Sequence, residues 1–428
     1  MAAFSFPAGA QDLTNHVFGY FGYNHQVHAV LELGGTIEEA LLEKALGLAV
    51  RAEPILGCRL VEDDKASYWQ QREDVEGLSL CSLVNTQCVE QELQQFICSP
   101  LNACHDPLIH VRIFRKAKKD TLCLKINHVC CDGGGIKDCL ALLVLLYNRL
   151  RADAAYQIPS RTLHSREQER IFQYIPIREA LKAWDLDQQE LQPGWTFPCI
   201  SMQNAKPDVA VQRIEKEPFL KLAAYGKQHG ATINDIVLTA LYRALFEMIY
   251  PEAGKPMPVG VTVDLRRYLP EKKAGMITNL SGVVNPAIPR IPGEKFAATL
   301  ARVTANMREL KANAIGFPTA LTFEMYSRLG FSATYQWFKA RVEKGKQDNC
   351  VPPVLSNVGI ISESKMVFDK VPVTDAYITG PLVPAPGSLI IASTYEGVLT
   401  LTMGYYKAAT SPKAIQWFLK QVAAELSF

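Results

Sequence analysis

Long apolar runs are missing from this 428-residue sequence, and the longest unbroken one extends only from Cys139 to Tyr147. A helix that crosses a bilayer needs roughly 20 apolar residues, so we expect no membrane span. The amino terminus also lacks the basic segment and apolar core of a secretory signal. These absences predict a cytoplasmic protein.

An excess of either charge is missing as well. The chain has 45 Lys and Arg against 43 Asp and Glu, for a net charge of +2. Proteins that bind nucleic acid or anionic membranes depend on concentrated basic charge, so both are poor candidates as partners. With 48% hydrophobic and 21% charged residues, the composition is that of a globular protein and excludes a disordered chain.

The eleven cysteines contain no Cys-x-x-Cys pair, and two of them, Cys130 and Cys131, are adjacent. Zinc sites and disulfide frameworks use other spacings. We therefore predict no metal site and no structural disulfide. In a reducing compartment most of these cysteines would be small buried apolar residues.

Strand and helix signals alternate in two stretches, separated by a segment rich in proline and charge. The chain is longer than a single hydrophobic core normally organises. We predict an α/β lobe over residues 1–175, a linker over 176–206 and a second α/β lobe over 207–428. Predicted elements include a strand over 28–33, a helix capped by Thr36, a strand over 122–126, helices over 136–150 and 323–339, and a helix opened by Thr232 and Asp235.

The segment from Leu122 to Gly135 carries the strongest chemical signal. An apolar strand delivers His128 to its end, Asp132 follows four residues later, and three glycines come next. A histidine is the usual general base near neutral pH, and a nearby carboxylate can orient it or hold the loop through an ion pair. The residues alone leave a simpler interpretation open, a buried core histidine followed by a plain Asp-Gly turn. Metal binding lacks a third ligand, and phosphate binding lacks a Lys-Ser or Lys-Thr after the glycines.

This segment resembles the His-x-x-x-Asp-Gly signature of the superfamily that holds chloramphenicol acetyltransferase, peptide-synthetase condensation domains, polyketide-associated acyltransferases and alcohol acetyltransferases. The resemblance extends along nearly the whole chain in the same order. Further segments that carry it are residues 52–59, 230–240, 263–270, 279–282 and the Ser-Asn-x-Gly strand at 355–359.

The resemblance implies an α/β (α+β) fold of two chloramphenicol-acetyltransferase-like lobes, each a mixed sheet with packed helices, arranged as a V around a tunnel. It implies that His128 is the catalytic base and that Asp132 is structural, with its carboxylate turned toward an arginine. Arg266 is the expected partner and Arg267 the alternative. The backbone amide of Gly133 is a candidate donor to an oxyanion.

The activity implied is acyl transfer from a thioester to an alcohol or amine, of the kind used in secondary metabolism. The thioester, an acyl-CoA or an acyl-phosphopantetheine on a carrier protein, is a co-substrate, and no permanently bound cofactor is expected. Partners would be the small-molecule acceptor, the donor and, in the second case, the carrier protein; we expect a monomer. Ser356, Asn357 and Tyr268 are candidates to line the tunnel or, equally, to make ordinary structural contacts.

Two departures favour a free-standing transferase over a protein that forms peptide bonds. Condensation domains have two histidines in a row, and here Asn127 stands in the first position. The Asp-Phe-Gly-Trp-Gly motif of plant alcohol acyltransferases is absent. The alternatives are an amide-forming protein of non-ribosomal peptide synthesis and an inactive module that docks carrier proteins.

Overall fold

The computed structural model of the protein describes residues 4–158, 165–187 and 194–427. The α-helices within these ranges are α1 (Ala10–Gly19), α2 (Glu39–Ala52), α3 (Val89–Cys98), α4 (Gly133–Ala152), α5 (Ile177–Asp187), α6 (Lys216–Gln228), α7 (Ile233–Ile249), α8 (Phe296–Lys311), α9 (Phe317–Ser327), α10 (Phe331–Gln347) and α11 (Pro412–Glu425). None of these described helices is both long and apolar enough to cross a bilayer.

The strands within the same ranges are β1 (Ser5–Pro7), β2 (Gln26–Leu33), β3 (Cys58–Val61), β4 (Tyr68–Gln71), β5 (Cys81–Asn85), β6 (Ile109–Lys116), β7 (Lys119–Asn127), β8 (Pro207–Ile214), β9 (Pro256–Pro258), β10 (Gly260–Asp264), β11 (Ser281–Val284), β12 (Ala287–Pro289), β13 (Val354–Ile360), β14 (Val367–Phe368), β15 (Val371–Thr379), β16 (Leu389–Tyr395) and β17 (Val398–Tyr406).

Two six-stranded mixed sheets, each with its own apolar core, organise the described residues. The first sheet has the order β14-β15-β2-β7-β6-β5 and the second the order β11-β10-β13-β16-β17-β8. Apolar side chains of α2 and α4 pack on the first sheet, and those of α7, α8 and α11 pack on the second. Because a sheet must bury its apolar face against another layer, these are two separately cored lobes. The predicted two-lobed α/β fold is confirmed.

One strand from late in the chain belongs to the first sheet. β15 pairs antiparallel with β2, so that Ile378 lies opposite Ala29, and β16 then returns to the second sheet. The prediction that everything from residue 207 onward forms the second lobe is wrong for β14 and β15. An apolar strand does not specify in its own sequence which sheet edge it will join. As a result, both lobes and a strand that passes between them surround the same space.

Several helix boundaries follow the local signals and others do not. The capping box that opens α7 is present, because Thr232 Oγ1 accepts from the Asp235 amide at 3.2 Å and the Asp235 carboxylate accepts from the Thr232 amide at 2.9 Å. In contrast, α2 begins at Glu39 and is not capped by Thr36. The amide of Ile37 donates to Asp120 Oδ2 at 2.9 Å, so a distant carboxylate binds an amide at this helix start.

The single helix predicted over 323–339 is two helices, α9 and α10, with Gly330 between them. Gly330 has a φ of +90°, a conformation that residues with a Cβ rarely adopt. A Cβ at this position would also meet the carbonyl oxygen of Asp64. The helical spacing of apolar residues continues across Gly330, which is why the sequence predicted a single helix.

Candidate active site

A cavity of about 300 Å³ lies between the lobes. Residues of α1 and β2 and the loop after β7 line it from the first lobe, and residues of β10, β11, β13 and β16 line it from the second. Three of the residues predicted for the site, His128, Gly133 and Ser356, are among the lining residues. The lobes therefore enclose a space next to the histidine of the His-x-x-x-Asp-Gly segment.

His128 directly follows β7. Its backbone amide donates to the carbonyl of His25 at 3.0 Å, continuing the pairing of β7 with β2 by one residue. The side-chain amide of Asn15 donates to the carbonyl of His128 at 3.0 Å, and the same nitrogen lies 3.3 Å from Nδ1 of the ring. Asn15 on α1 thus holds both the backbone and the ring of this histidine.

The imidazole of His128 is neutral near pH 7. Burial lowers its pKa below the usual 6.5, and this effect exceeds the opposing ones of a hydrogen bond to its own backbone and of the charge of Asp132. Burial acts in this direction because it disfavours the charged form of the ring. A neutral histidine at a cavity wall is able to accept a proton.

Asp132 points away from this ring and is fully occupied by hydrogen bonds. Both of its oxygens accept from Arg266, each at 2.9 Å. The carboxylate also accepts from the amides of Gly135 at 2.8 Å and Leu280 at 2.7 Å. Burial would raise the pKa of Asp132, but the charge and hydrogen bonds of Arg266 and these two amides lower it to about 2. The bidentate pair therefore joins α4, whose N-cap is Asp132, to the second lobe.

Arg266 is the partner of Asp132, and Arg267 is not. The Arg267 side chain is exposed and lies over the ring of Tyr268, 5.8 Å from its centroid. Arg266 is buried, and one of its nitrogens also donates to the Thr278 carbonyl at 3.0 Å. Its charge is balanced by the Asp132 carboxylate, which it binds in the bidentate geometry that these two groups can form.

The middle glycine of the segment makes room for this arginine. A Cβ on Gly134 would lie 2.5 Å from Nη1 of Arg266 and 2.7 Å from its Cζ, closer than real side-chain contacts allow. Gly133 has a different surrounding, because a Cβ there would lie 3.3 Å from the methyl groups of Val358. The glycines thus admit the guanidinium and bring the start of α4 close to β13.

A second buried ion pair holds the same loop, and the sequence gave no local indication of it. Arg166 binds both oxygens of Asp12 at 3.1 Å and donates to the carbonyl of Cys130 at 3.2 Å. Asn279 donates to the carbonyl of Val129 at 2.7 Å and to Asp12 at 3.0 Å. Three consecutive loop carbonyls, beginning with that of His128, are therefore bound by side chains from distant parts of the chain. Only contacts in the folded chain reveal these three donors.

His25 stands beside His128, with 4.7 Å between the ring centroids. Its other face stacks on Phe18 at 5.8 Å. Burial first, and the neighbouring His128 second, lower the pKa of His25 well below 6.5. Its Nδ1 is buried and has no hydrogen-bond partner among the described residues.

The cavity continues toward an open cleft of about 1020 Å³. Asn15, Tyr23 and His25 line both spaces and so form the boundary between them. Unlike the cavity, the cleft has charged lining residues, among them Arg59 and Glu62. A ligand that extends from the cavity into the cleft would therefore contact the lining of the cavity beside His128 and the charged residues of the cleft.

Two predicted lining residues lie elsewhere. Val354, Ser356 and Val358 line the cavity, and since successive strand residues point to opposite faces, Asn357 lies on the other side of β13. The Asn357 side chain accepts a hydrogen bond from the amide of Gly359 at 3.0 Å. The hydroxyl of Tyr268 donates to the carbonyl of Ile315 at 2.9 Å, and its ring packs on the core of the second lobe. Asn357 and Tyr268 are not among the described lining residues of the cavity, and their contacts fit the structural alternative.

The eleven cysteines are all free thiols. Burial raises the pKa of the Cys130 and Cys139 thiols, Cys130 to about 12. Within the described ranges, no group of three or more His, Cys, Asp or Glu side chains is placed to hold a metal ion.

The fold is that of a known class of proteins. The family model for the condensation domain matches residues 18–319, which is most of the chain. The chain belongs to the condensation-domain family. No curated protein matches it.

Solved structures of several activities share the fold. One is polyketide synthase associated protein 5 from Mycobacterium tuberculosis, 18% identical, with 99% of each chain covered and a TM-score of 0.68. Another is a trichothecene 15-O-acetyltransferase from Fusarium sporotrichioides, 12% identical, covering 100% of this chain and 96% of that one, with a TM-score of 0.73. The first condensation domain of the CDA synthetase is 16% identical, with 99% and 97% covered and a TM-score of 0.70. At these identities the likeness concerns the fold.

Proposed function

We propose that the protein transfers an acyl group from a thioester to a hydroxyl group, with His128 as the general base. The observation that carries this proposal is the neutral imidazole of His128, which lines the cavity between the lobes. The two buried ion pairs that hold its loop support the proposal, because a general base must be held within hydrogen-bond reach of the proton that it removes.

In the proposed reaction Nε2 of His128 accepts the proton of the acceptor hydroxyl as its oxygen attacks the thioester carbonyl. The proposal takes the neutral tautomer that carries its hydrogen on Nδ1, which leaves the lone pair on Nε2. The tetrahedral intermediate then collapses, the carbon–sulfur bond breaks, and the proton returns to the departing thiolate. No covalent acyl-enzyme is formed.

The start of α4 is suited to stabilise the oxyanion of that intermediate. Gly133 is the first residue of the helix, and the first amides of a helix have no acceptor within it. Gly133 also lines the cavity. A backbone donor at the positive end of a helix favours developing negative charge, so the Gly133 amide is the donor that we assign.

The proposed donor is an acyl-CoA or an acyl-phosphopantetheine on a carrier protein. Either would act as co-substrate, and the second makes a carrier protein a partner. The structural relatives include both polyketide- and peptide-synthetase-associated proteins, which supports interaction with a carrier. The cytoplasmic location and the monomeric state stay predictions.

An amide-forming activity like that of a peptide synthetase is the second candidate, and the family membership supports it. Asn127, in the position of the first histidine of condensation domains, has a structural role here. Its side chain donates to the Leu101 carbonyl at 2.8 Å and accepts from the Val129 amide at 2.9 Å. The third candidate, an inactive docking module, would keep the same buried ion pairs as structural contacts, and only a test of thiol release separates it from the first two.

Thiol release from a panel of acyl-CoAs, with alcohols and amines as acceptors, tests the proposal. We expect release that depends on an alcohol and that His128→Ala reduces by about two to four orders of magnitude, the usual contribution of a general base. His229→Ala is the matched control, because His229 is exposed at the end of α6. Full activity of a folded His128→Ala variant would overturn the role of this residue, and ester formation must be verified by mass spectrometry.

A further inference from the structure

Among the residues that the structure describes, the lining of the cavity beside His128 contains no Asp, Glu, Lys or Arg. Its two histidines have lowered pKa values, and burial raises the pKa of its tyrosine, Tyr23, to about 12. All three side chains are therefore uncharged near neutral pH. A charged group that entered would lose its hydration without gaining a counter-ion, which is strongly unfavourable.

Much of the remaining wall is hydrocarbon. Aliphatic and aromatic side chains come from both lobes and from β15, among them Phe18, Phe323, Val354, Ile378, Val383 and Ile391. An apolar ligand in contact with this wall would have its apolar surface removed from water, which favours binding.

Several of the polar side chains in the lining already have hydrogen-bond partners. Thr262 donates to Ser356 at 2.9 Å, Gln11 donates to Gln168 at 2.7 Å, and the Ser281 hydroxyl donates to Asp132 at 3.2 Å. Thr14 Oγ1, His25 Nδ1 and Ser388 Oγ are buried without a partner among the described residues. These three neutral groups could bind a hydroxyl or keto oxygen, but they cannot balance a charge.

We infer that this cavity binds an uncharged, largely hydrocarbon group, with isolated oxygen functions at most. The inference rests on the proposed function, since it names the substrate class of that site. Two sources can supply such a group, the acyl chain of the thioester or the carbon chain of the acceptor alcohol. The charged lining of the neighbouring cleft is suited to the polar remainder of either substrate.

Turnover with matched substrates identifies the source. In the donor arm decanoyl-CoA is compared with sebacoyl-CoA, which has the same chain length but ends in a carboxylate. In the acceptor arm decanol is compared with aminodecanol, which ends in an ammonium group. We expect kcat/KM to fall by at least about tenfold for the charged member in one arm, because the buried charge is unpaired. A fall in the donor arm shows that the acyl chain enters the cavity, and a fall in the acceptor arm shows that the carbon chain of the alcohol does. Equal turnover of both members in both arms overturns the inference.

A binding measurement separates failure of this inference from failure of the proposed function. Calorimetry with the His128→Ala variant compares decanediol with diaminodecane, which is charged at both ends and cannot keep both charges outside. We expect decanediol to bind and diaminodecane not to bind. If no thioester is turned over, this pair still decides the inference, and equal affinity overturns it.

A pair of substitutions locates the site. Val383→Phe would fill part of the cavity, and we expect it to weaken decanediol binding and to shift turnover toward shorter chains. Ile360→Phe is the matched control, because Ile360 is half-exposed at the end of β13 and outside the cavity lining. Unchanged binding and chain-length preference in a folded Val383→Phe variant would place the hydrocarbon elsewhere and overturn the inference.

Discussion

Arg266 in the second lobe and Asp132 in the first are joined by two parallel hydrogen bonds of 2.9 Å. The pair is buried on both sides, and the carboxylate that it binds also caps the helix behind the histidine loop. Interlobe contact and loop geometry therefore depend on the same two side chains.

Removing the cation of the pair should strongly destabilise the protein. Arg266→Ala leaves the Asp132 carboxylate buried without its counter-ion, which typically costs roughly 3–5 kcal/mol. Urea unfolding gives the change in free energy. Arg267→Ala is the matched control, and since Arg267 is exposed, we expect its effect to stay within about 0.5 kcal/mol. Similar small effects for both variants would contradict a stabilising role of the buried pair.

The same carboxylate should make the protein sensitive to acid. The pKa of Asp132 is lowered from 3.8 to about 2 in the folded state, so its stabilisation is complete above the unfolded value and is lost as the pH falls toward 2. The shift corresponds to on the order of 2 kcal/mol. Free energies of unfolding measured between pH 6 and 2 should fall less steeply for Asp132→Asn than for the wild type. Parallel curves would show that this group does not contribute.

Activity should persist into mildly acidic solution. Because burial lowers the pKa of His128 below 6.5, the ring stays neutral and able to accept a proton through pH 7. We expect the acidic limb of the kcat/KM profile to have its midpoint below pH 6.5. A midpoint at or above that value, measured with a donor that does not itself titrate in this range, would argue against His128 as the base in its buried setting.

The glycine under the guanidinium should not tolerate a methyl group. Gly134→Ala would place a Cβ 2.7 Å from Cζ of Arg266, and overpacking of this kind typically costs about 1–3 kcal/mol. Gly47→Ala provides the control, because Gly47 lies within α2 and a Cβ there meets nothing within 4 Å. That substitution should instead stabilise the protein by roughly 0.5–1 kcal/mol, since alanine favours a helix interior. Thermal unfolding of the two variants should therefore shift in opposite directions.

Local patterns predicted those parts of the site whose residues are close in the chain. His128, Asp132 and the glycines are one strand end and one helix start, and the capping box of α7 lies within four residues. The residues that hold the loop from outside were not predictable in the same way. Asn15, Arg166 and Asn279 reach it from three distant segments. No local pattern marks Asn15 or Arg166, and the segment that begins at Asn279 does not indicate which loop that side chain will contact.

The sequence by itself determined that the protein has two α/β lobes and that a histidine ends a buried strand, because periodicity and a short motif act over neighbouring residues. Tertiary structure alone decided that Arg266 and not Arg267 meets Asp132, that β15 joins the first sheet, and that Ser356 lines the cavity while Asn357 does not. Each of these outcomes depends on which distant surfaces are packed together. Burial and hydrogen bonding across the lobes select among partners that the linear sequence leaves equivalent.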